Sequence, residues 1–329
     1  MSNSKKSQNS TVSRLLQILK QFKALGFNGQ LYIEAEFGVW GSHKNGQLVF
    51  ARFPDIGVSC RIVSFSQFEN TVSAVSKCPE VKFVLDSGTL RIEAPGMVTK
   101  IAAHPHVPGD TAFQFLTGLP DATLSNIVQL AKFGLKSKIS KLYASSGTAF
   151  VVDDDGGMFV QSPFVGTPTV VMDTNTVSKL SKVSSPPVGI ALNSRSPFAF
   201  ILFSGEFDIA VGCIALDQST VSLPVYHPVT TSALSQRTVE AILTLSKYCD
   251  NWMHVTSPVT IEGIKDGGNV TLNVDEGLPC GSYWNLKLMS AILELNAKVA
   301  FKTEGDISMR FDTDTVMGEI ASMVVTDAG

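Results

Sequence analysis

Thr11-Val12-Ser13-Arg14-Leu15-Leu16-Gln17-Ile18-Leu19-Lys20-Gln21-Phe22 is the stretch that decides the fold, because the chain repeats its pattern twice more. Val12, Leu15, Leu16, Leu19 and Phe22 fall at the three-and-four spacing of one apolar helix face, and Arg14, Gln17, Lys20 and Gln21 fall on the other. A stretch of the same kind opens at Thr123. There Leu124, Ile127, Val128, Ala131 and Leu135 form the buried stripe, Lys132 and Lys136 flank it, and Lys138 and Lys141 follow in the turn. A third opens at Ser235, where Val239, Ile242, Leu243 and Ser246 face inward, Arg237 and Thr244 face outward, and Lys247 lies at the margin. Each step is about 112 residues, far beyond the roughly 20–50 residues of a solenoid unit and right for a small domain.

A second helical stretch recurs at Phe65, Thr174 and Trp284. After it a strand pair closes each repeat: Val81-Lys82-Phe83 with Leu90-Arg91-Ile92, Phe198-Ala199-Phe200 with Phe207-Asp208-Ile209, and Val299-Ala300-Phe301 with Ile307-Ser308-Met309. Strands are also expected over Leu31 to Phe37, Gly147 to Val152 and Val270 to Val274. Asp86-Ser87-Gly88, Asp155-Gly156-Gly157 and Asp266-Gly267-Gly268-Asn269 carry hairpin-turn chemistry. Two amphipathic helices per repeat predict an α+β domain with its helices on one face of an antiparallel sheet. Pro-marked linkers, His104-Pro105-His106-Val107-Pro108 and Leu223-Pro224-Val225-Tyr226-His227-Pro228, place the boundaries. The expected organisation is a flexible tail over 1–10 and domains over 11–108, 109–222 and 223–329.

Composition narrows the function. Apolar residues make up 44% of the 329 and charged residues 17%, enough for three cores. A net charge of −3 means that any nucleic-acid role must use a local basic face. The five cysteines (Cys60, Cys78, Cys213, Cys249, Cys280) are scattered, which reads as reduced thiols in the cytoplasm without a metal or disulfide framework. The polar start, Ser2 to Ser10, has no apolar core of a signal peptide. The apolar run from Phe198 to Leu216 is broken by Ser204, Gly205, Glu206 and Asp208, and reads as two buried strands and a turn. Asp153-Asp154-Asp155 could hold a divalent cation, but turn chemistry beside Gly156 accounts for it. His104 and His106 could pair on a metal, but a Pro-flanked linker accounts for them. The chain holds no nucleophile elbow, Walker loop or dinucleotide fingerprint. It reads as no enzyme, with no metal and no cofactor.

As an ordered set, four further motifs resemble the bacterial-type DNA polymerase sliding clamp, the β subunit family, and suggest a divergent or phage-encoded member. Asp155-Gly156-Gly157-Met158-Phe159 is similar to the family's T-D-G-H-R-L turn, with Gly157-Met158 in place of His-Arg. Val170-Val171-Met172-Asp173 followed by Val177, Lys179 and Leu180 is similar to the second helix of domain two. Leu223-Pro224-Val225-Tyr226-His227-Pro228-Val229 resembles the F-P-x-Y-R-R-V linker, and Trp284-Asn285 the start of the last helix. The Ser- and Lys-rich tail and the end, Met323 to Gly329, depart from the family pattern.

The resemblance implies three tandem DNA-clamp domains and a head-to-tail homodimeric ring around duplex DNA. It also implies a pocket that takes short peptides of DNA polymerase, clamp loader and other partners. Such a ring holds DNA by topology, so a thin basic lining suffices. The candidates are Arg14, Lys20, Lys23, Lys132, Lys136, Lys138, Lys179, Lys182, Arg237, Lys247 and Lys287. The alternative for each is an ordinary solvated helix face. By resemblance the peptide pocket is walled by Gly156, Phe159, Val229, Asn285, Leu288, Ile307 and Val324, with plain core packing as the alternative for Leu288, Ile307 and Val324. A competing reading of the whole chain is a β-rich structural or adhesion protein of a virus particle, which would not need two basic-faced helices per repeat.

Overall fold

The structure, a computed structural model, describes residues 2–35, 38–42, 48–52, 56–107, 113–118, 121–145, 147–153, 157–164, 169–183, 187–193, 198–203, 209–215, 230–249, 251–275, 277–304 and 306–323. In chain order the first elements are α1 (Ser2–Ala24), β1 (Gln30–Glu34), β2 (Gly38–Ser42), β3 (Leu48–Ala51), β4 (Cys60–Ile62), α2 (Phe65–Val75), β5 (Lys82–Asp86), β6 (Thr89–Ala94) and β7 (Met97–Pro105). Next come β8 (Phe113–Gly118), α3 (Asp121–Lys136), β9 (Lys141–Ser145), β10 (Gly147–Val152), β11 (Met158–Phe164), β12 (Val170–Asp173) and α4 (Thr174–Val177). A 3-10 turn (Leu180–Lys182), β13 (Pro187–Asn193), β14 (Phe198–Phe203) and β15 (Ile209–Ala215) follow. The chain continues with α5 (Gln236–Tyr248), β16 (Trp252–Ser257), β17 (Thr260–Lys265), β18 (Gly268–Asn273), β19 (Tyr283–Asn285), α6 (Leu286–Leu293), β20 (Lys298–Lys302), β21 (Ser308–Asp312) and β22 (Met317–Ala321).

These elements form two compact units, Met1–Ser125 with Val165–Leu216, and Asn126–Phe164 with Asp217–Gly329. In the first, an antiparallel succession runs β8–β13–β14–β15–β3–β2–β1–β4–β7–β6–β5. The β3–β15 ladder, Val49↔Val211 to Ala51↔Ile209, joins residues that lie far apart in sequence. In the second unit the succession is β9–β10–β11–β22–β21–β20. A separate sheet, β18–β17–β16–β19, lies in the same unit. The β11–β22 ladder, Met158↔Ile320 to Gln161↔Met317, is again long-range.

α1 carries the apolar stripe as expected, with Val12, Leu15, Leu16, Leu19 and Phe22 all buried. It ends at Gly26, whose φ of +79° suits a residue without Cβ, and the Phe27 amide donates to the Phe22 carbonyl at 3.0 Å. α2 is capped by Ser64, whose Oγ accepts from the Gln67 amide at 3.3 Å. The hairpin turns at Ser87-Gly88 and Asp266-Gly267 have positive φ at both positions, as two-residue turns of this kind require. Phe198–Phe203 and Ile209–Ala215 are two paired strands, as the apolar run predicts.

Five expectations need correction. The stretch Ser2–Ser10 is not a tail; it is the start of α1, because no Gly or Pro interrupts the chain before Gly26. α4 is a single turn, because Thr174, Thr176 and Val177 are β-branched and favour extended backbone. Leu135 is 41% exposed; Leu130 and Phe133 are buried in its place, and Phe133 packs on Phe311 at 6.0 Å. On α5 the buried face is Thr238, Ala241, Ile242 and Leu245, while Val239, Leu243 and Ser246 are only half-buried. The shift follows from Thr238, whose hydroxyl accepts from the Asp275 amide at 3.1 Å and so can be buried. Finally, His104 and Pro105 belong to β7, paired with Arg61 and Cys60, not to a linker. The linker Leu223 to Val229 lies outside the described residues. Among the described residues no helix is long and apolar enough to cross a membrane.

Candidate nucleic-acid interface and peptide pocket

Charge is sorted between helices and strands. The described helices and the 3-10 turn contain Lys5, Lys6, Arg14, Lys20, Lys23, Lys132, Lys136, Lys182, Arg237, Lys247 and Lys287. Their only acids are Glu69, Asp121 and Glu240, although the whole chain has 29 Asp and Glu against 26 Lys and Arg. Sequence reading finds the basic helix positions from Arg14 onward but misses Lys5 and Lys6, because it takes their stretch for a tail.

The candidates do not all stand alike. Lys20, Lys132, Lys136, Lys182, Lys247 and Lys287 are exposed, and no ion pair holds them among the described residues. Lys136 and Lys247 lie in last turns, where the helix dipole favours a cation on its own. Lys287 lies in the first turn of α6, where the dipole disfavours one. Arg14 is half-buried. Arg237 pairs with Asp275 at 3.1 Å on the surface. Lys179 is half-buried, with its ammonium packed against Gly26 at the electronegative end of α1. Lys138 follows α3 in a left-handed conformation, φ +61°.

Lys23 has a structural duty. Its Nζ lies 2.9 Å from Glu69 Oε2, and the Glu69 side chain is only 8% exposed. Lys23→Ala leaves a buried carboxylate without its cation and is expected to lower stability by about 1–3 kcal/mol, read as a fall in the urea midpoint. Adding Glu69→Gln should restore most of that loss. A single variant with the wild-type midpoint would show that the pair does not tie α1 to α2.

The described pocket candidates gather in the second unit. Phe159 is half-buried on β11 opposite Glu319. Its ring lies 6.0 Å from Phe150, which in turn stacks on Tyr143 at 5.2 Å. Ile307 precedes β21, and its carbonyl accepts from the Ser322 amide at 2.8 Å. The Ala321 amide donates to the Gly157 carbonyl at 2.8 Å, which brings the β11 turn to the end of β22. The Met323 amide donates to the Tyr283 carbonyl at 2.9 Å, linking this corner to β19 and the start of α6. There Asn285 Oδ1 accepts from the amides of Lys287 (3.0 Å) and Leu288 (3.2 Å), so its side chain caps the helix. Leu288 is 7% exposed and offers little surface to a ligand. Gly156, Val229 and Val324 lie outside the described residues. Glu319 is held on the same sheet face as Phe159 by Arg310 Nε at 3.0 Å and Ser308 Oγ at 2.5 Å.

Among the described residues no cluster of three or more His, Cys, Asp and Glu forms a metal site; Asp154 and Asp155 lie outside them. His106 Nε2 lies 2.8 Å from the buried Glu34 Oε1. Burial pushes the Cys60 and Cys213 thiols up to about 12, so both stay protonated and unreactive.

No family model matches the chain, and no curated protein matches it. Solved structures do. DNA polymerase III subunit beta from Borrelia burgdorferi superposes with a TM-score of 0.65 at 10% identity, over 96% of this chain and 98% of that one. The DNA polymerase sliding clamp from Bacillus subtilis gives 0.63 at 12% identity, over 96% and 98%. The Helicobacter pylori beta clamp bound to a DNA ligase peptide gives 0.61 at 10% identity, over 95% and 99%. The chain has the α+β fold of the bacterial sliding clamps, three tandem clamp domains, at an identity that leaves few shared residues.

Proposed function

We propose that this chain is a sliding clamp, a processivity factor that encircles duplex DNA without reading its sequence. It tethers DNA polymerase, clamp loader and other replication proteins through short peptides. It works in the cytoplasm at replicating DNA and carries out no catalysis of its own. The observation that carries this reading is the gathering on the helices of exposed lysines, most of them without an ion pair among the described residues, in a chain that is acidic overall. A ring that holds DNA by topology needs weak, uniform attraction on the surface facing the duplex and no base-specific contact. The domains fall at residues up to 108, 109–222 and 223–329.

Two exposed sheet edges support closure by a second copy. Among the described strands β5 pairs only with β6, and β18 only with β17. Such edges are an aggregation hazard unless covered, and a head-to-tail homodimer that sets β5 against β18 of the second copy would cover both. That the Helicobacter pylori clamp is bound to a DNA ligase peptide supports a peptide-docking role, which we assign to the corner around Phe159 and Ile307. Sedimentation at micromolar concentration is expected to give about twice 35.3 kDa. A strict monomer there would overturn the ring.

A further inference from the structure

A cleft of about 440 Å³ lies in the first unit, where the turn after α1 meets the end of β2 and the start of α2. That volume falls in the range of pockets that hold ligands. Asn28, Gln30, Ser42 and Ser64 supply its polar wall, and Val63, 49% exposed, its apolar one. Among the described residues no charged side chain lines it; His43 and Lys44, which adjoin Ser42, lie outside them. The polar wall is rich in donors. Gln30 Oε1 accepts from the Tyr32 hydroxyl at 3.1 Å, which leaves the amide N–H groups of Gln30 to donate. Ser64 Oγ accepts from the Gln67 amide, which leaves its own O–H. Asn28 is exposed and Ser42 half-buried, and neither side chain holds a hydrogen bond among the described residues.

One wall of the cleft continues into an apolar row. Gln30 is opposite Ser42 and Ser42 opposite Leu48, so the three side chains share one sheet face. Gly212 of β15 comes next: Val211 is opposite Val49, and a Cβ at 212 would lie 2.7 Å from Leu48 Cβ and 3.3 Å from the Phe200 ring. Glycine there leaves room for both side chains. Leu48 and Leu202 are half-buried and pack on Phe50, Phe200 and Ala210. The second unit holds the same arrangement. Ser42, the last residue of β2, faces Leu48 at the start of β3, as Val152, the last residue of β10, faces Phe159 at the start of β11. Both β3 and β11 go on to pair with the last strand of the following repeat, β15 and β22.

We propose that the cleft and the row from Leu48 to Leu202 form a second peptide-docking corner, related by the internal repeat to the one around Phe159. It takes an extended segment of a partner protein. An apolar side chain of that segment rests on Leu48 and Leu202, and its main-chain carbonyls and uncharged polar side chains accept from Asn28, Gln30, Ser42 and Ser64. The proposal rests on the peptide-docking reading above, because the repeat is what names a peptide as the occupant.

The test is a phage-displayed library of random peptides, about twelve residues long, panned on the full chain. Two groups of peptides are expected. One is lost with Phe159→Ala. The other binds that variant as it binds the wild type, and is weakened about five- to tenfold by Asn28→Ala with Gln30→Ala. Both of these side chains are exposed, so the double variant should melt with the wild type. Ser42→Arg, which fills the cleft, should abolish the second group and spare the first. If every enriched peptide depends on Phe159 and none on Asn28 and Gln30, the second corner is overturned and the docking reading stands. If one group depends on Asn28 and Gln30 while none depends on Phe159, the second corner stands and the assignment to Phe159 falls. No enrichment on the wild type overturns both. Loss of duplex DNA binding in the double variant, with every peptide still held, assigns the cleft to phosphate and overturns it as a peptide site.

Discussion

Reversal of Lys20, Lys132, Lys136 and Lys247 to Glu is expected to weaken binding to linear duplex DNA by about 100-fold or more near 50 mM salt. Every phosphate that is no longer neutralised should also flatten the log–log salt dependence by close to one unit. All four side chains are exposed on helices, so the fold should survive. The two in last turns cost about 0.3–1 kcal/mol each through the helix dipole, a loss that circular dichroism melting would register. The informative control reverses Lys100, Lys265, Lys298 and Lys302, which are exposed on β7, β17 and β20, away from the β5 edge. Both sets change the net charge equally. If the helices face the duplex, only the first set matters strongly. Equal losses from the two sets would mean that long-range charge alone attracts DNA, and the proposed lining would fail.

The helices are legible in the sequence because an apolar stripe at three-and-four spacing is a strong local signal, and three copies at one interval remove most of the ambiguity. The signal falters where local chemistry is mixed. Ser2–Ser10 has the composition of a tail yet begins α1, since nothing in it breaks a helix. Thr174–Val177 occupies the place of a helix in the repeat but holds β-branched residues, and folds as one turn. The β3–β15 and β11–β22 ladders are not legible at all. Pairing between Phe159 and Glu319 leaves no mark in either neighbourhood, because register across such a separation is set by the assembled sheet. The candidate pocket is half visible for the same reason. An acid-Gly turn points to Phe159, whereas Glu319 and Arg310 come beside it only through long-range strand pairing.

Under the proposed docking role, Phe159→Ala is expected to lower affinity for a partner peptide by about 30-fold or more, the scale of a central aromatic hot spot. Its ring is half-buried at the sheet surface, so stability should fall far less than for a fully buried Phe. Gly318→Val separates contact from positioning. A Cβ at 318 would lie 2.5 Å from the Phe159 carbonyl oxygen and 2.8 Å from the Phe311 ring, and Phe311 is fully buried. Backbone cannot yield there without parting β11 from β22. The expected cost is about 1–3 kcal/mol or more in a urea melt, together with a fall in peptide affinity although Phe159 is still present. The two variants thus fail differently, one in binding with a near-normal melt, the other in both. Normal peptide affinity in Phe159→Ala would place the docking site elsewhere on the chain. A normal melt in Gly318→Val would show that the close β11–β22 approach, on which the position of Phe159 depends, does not hold.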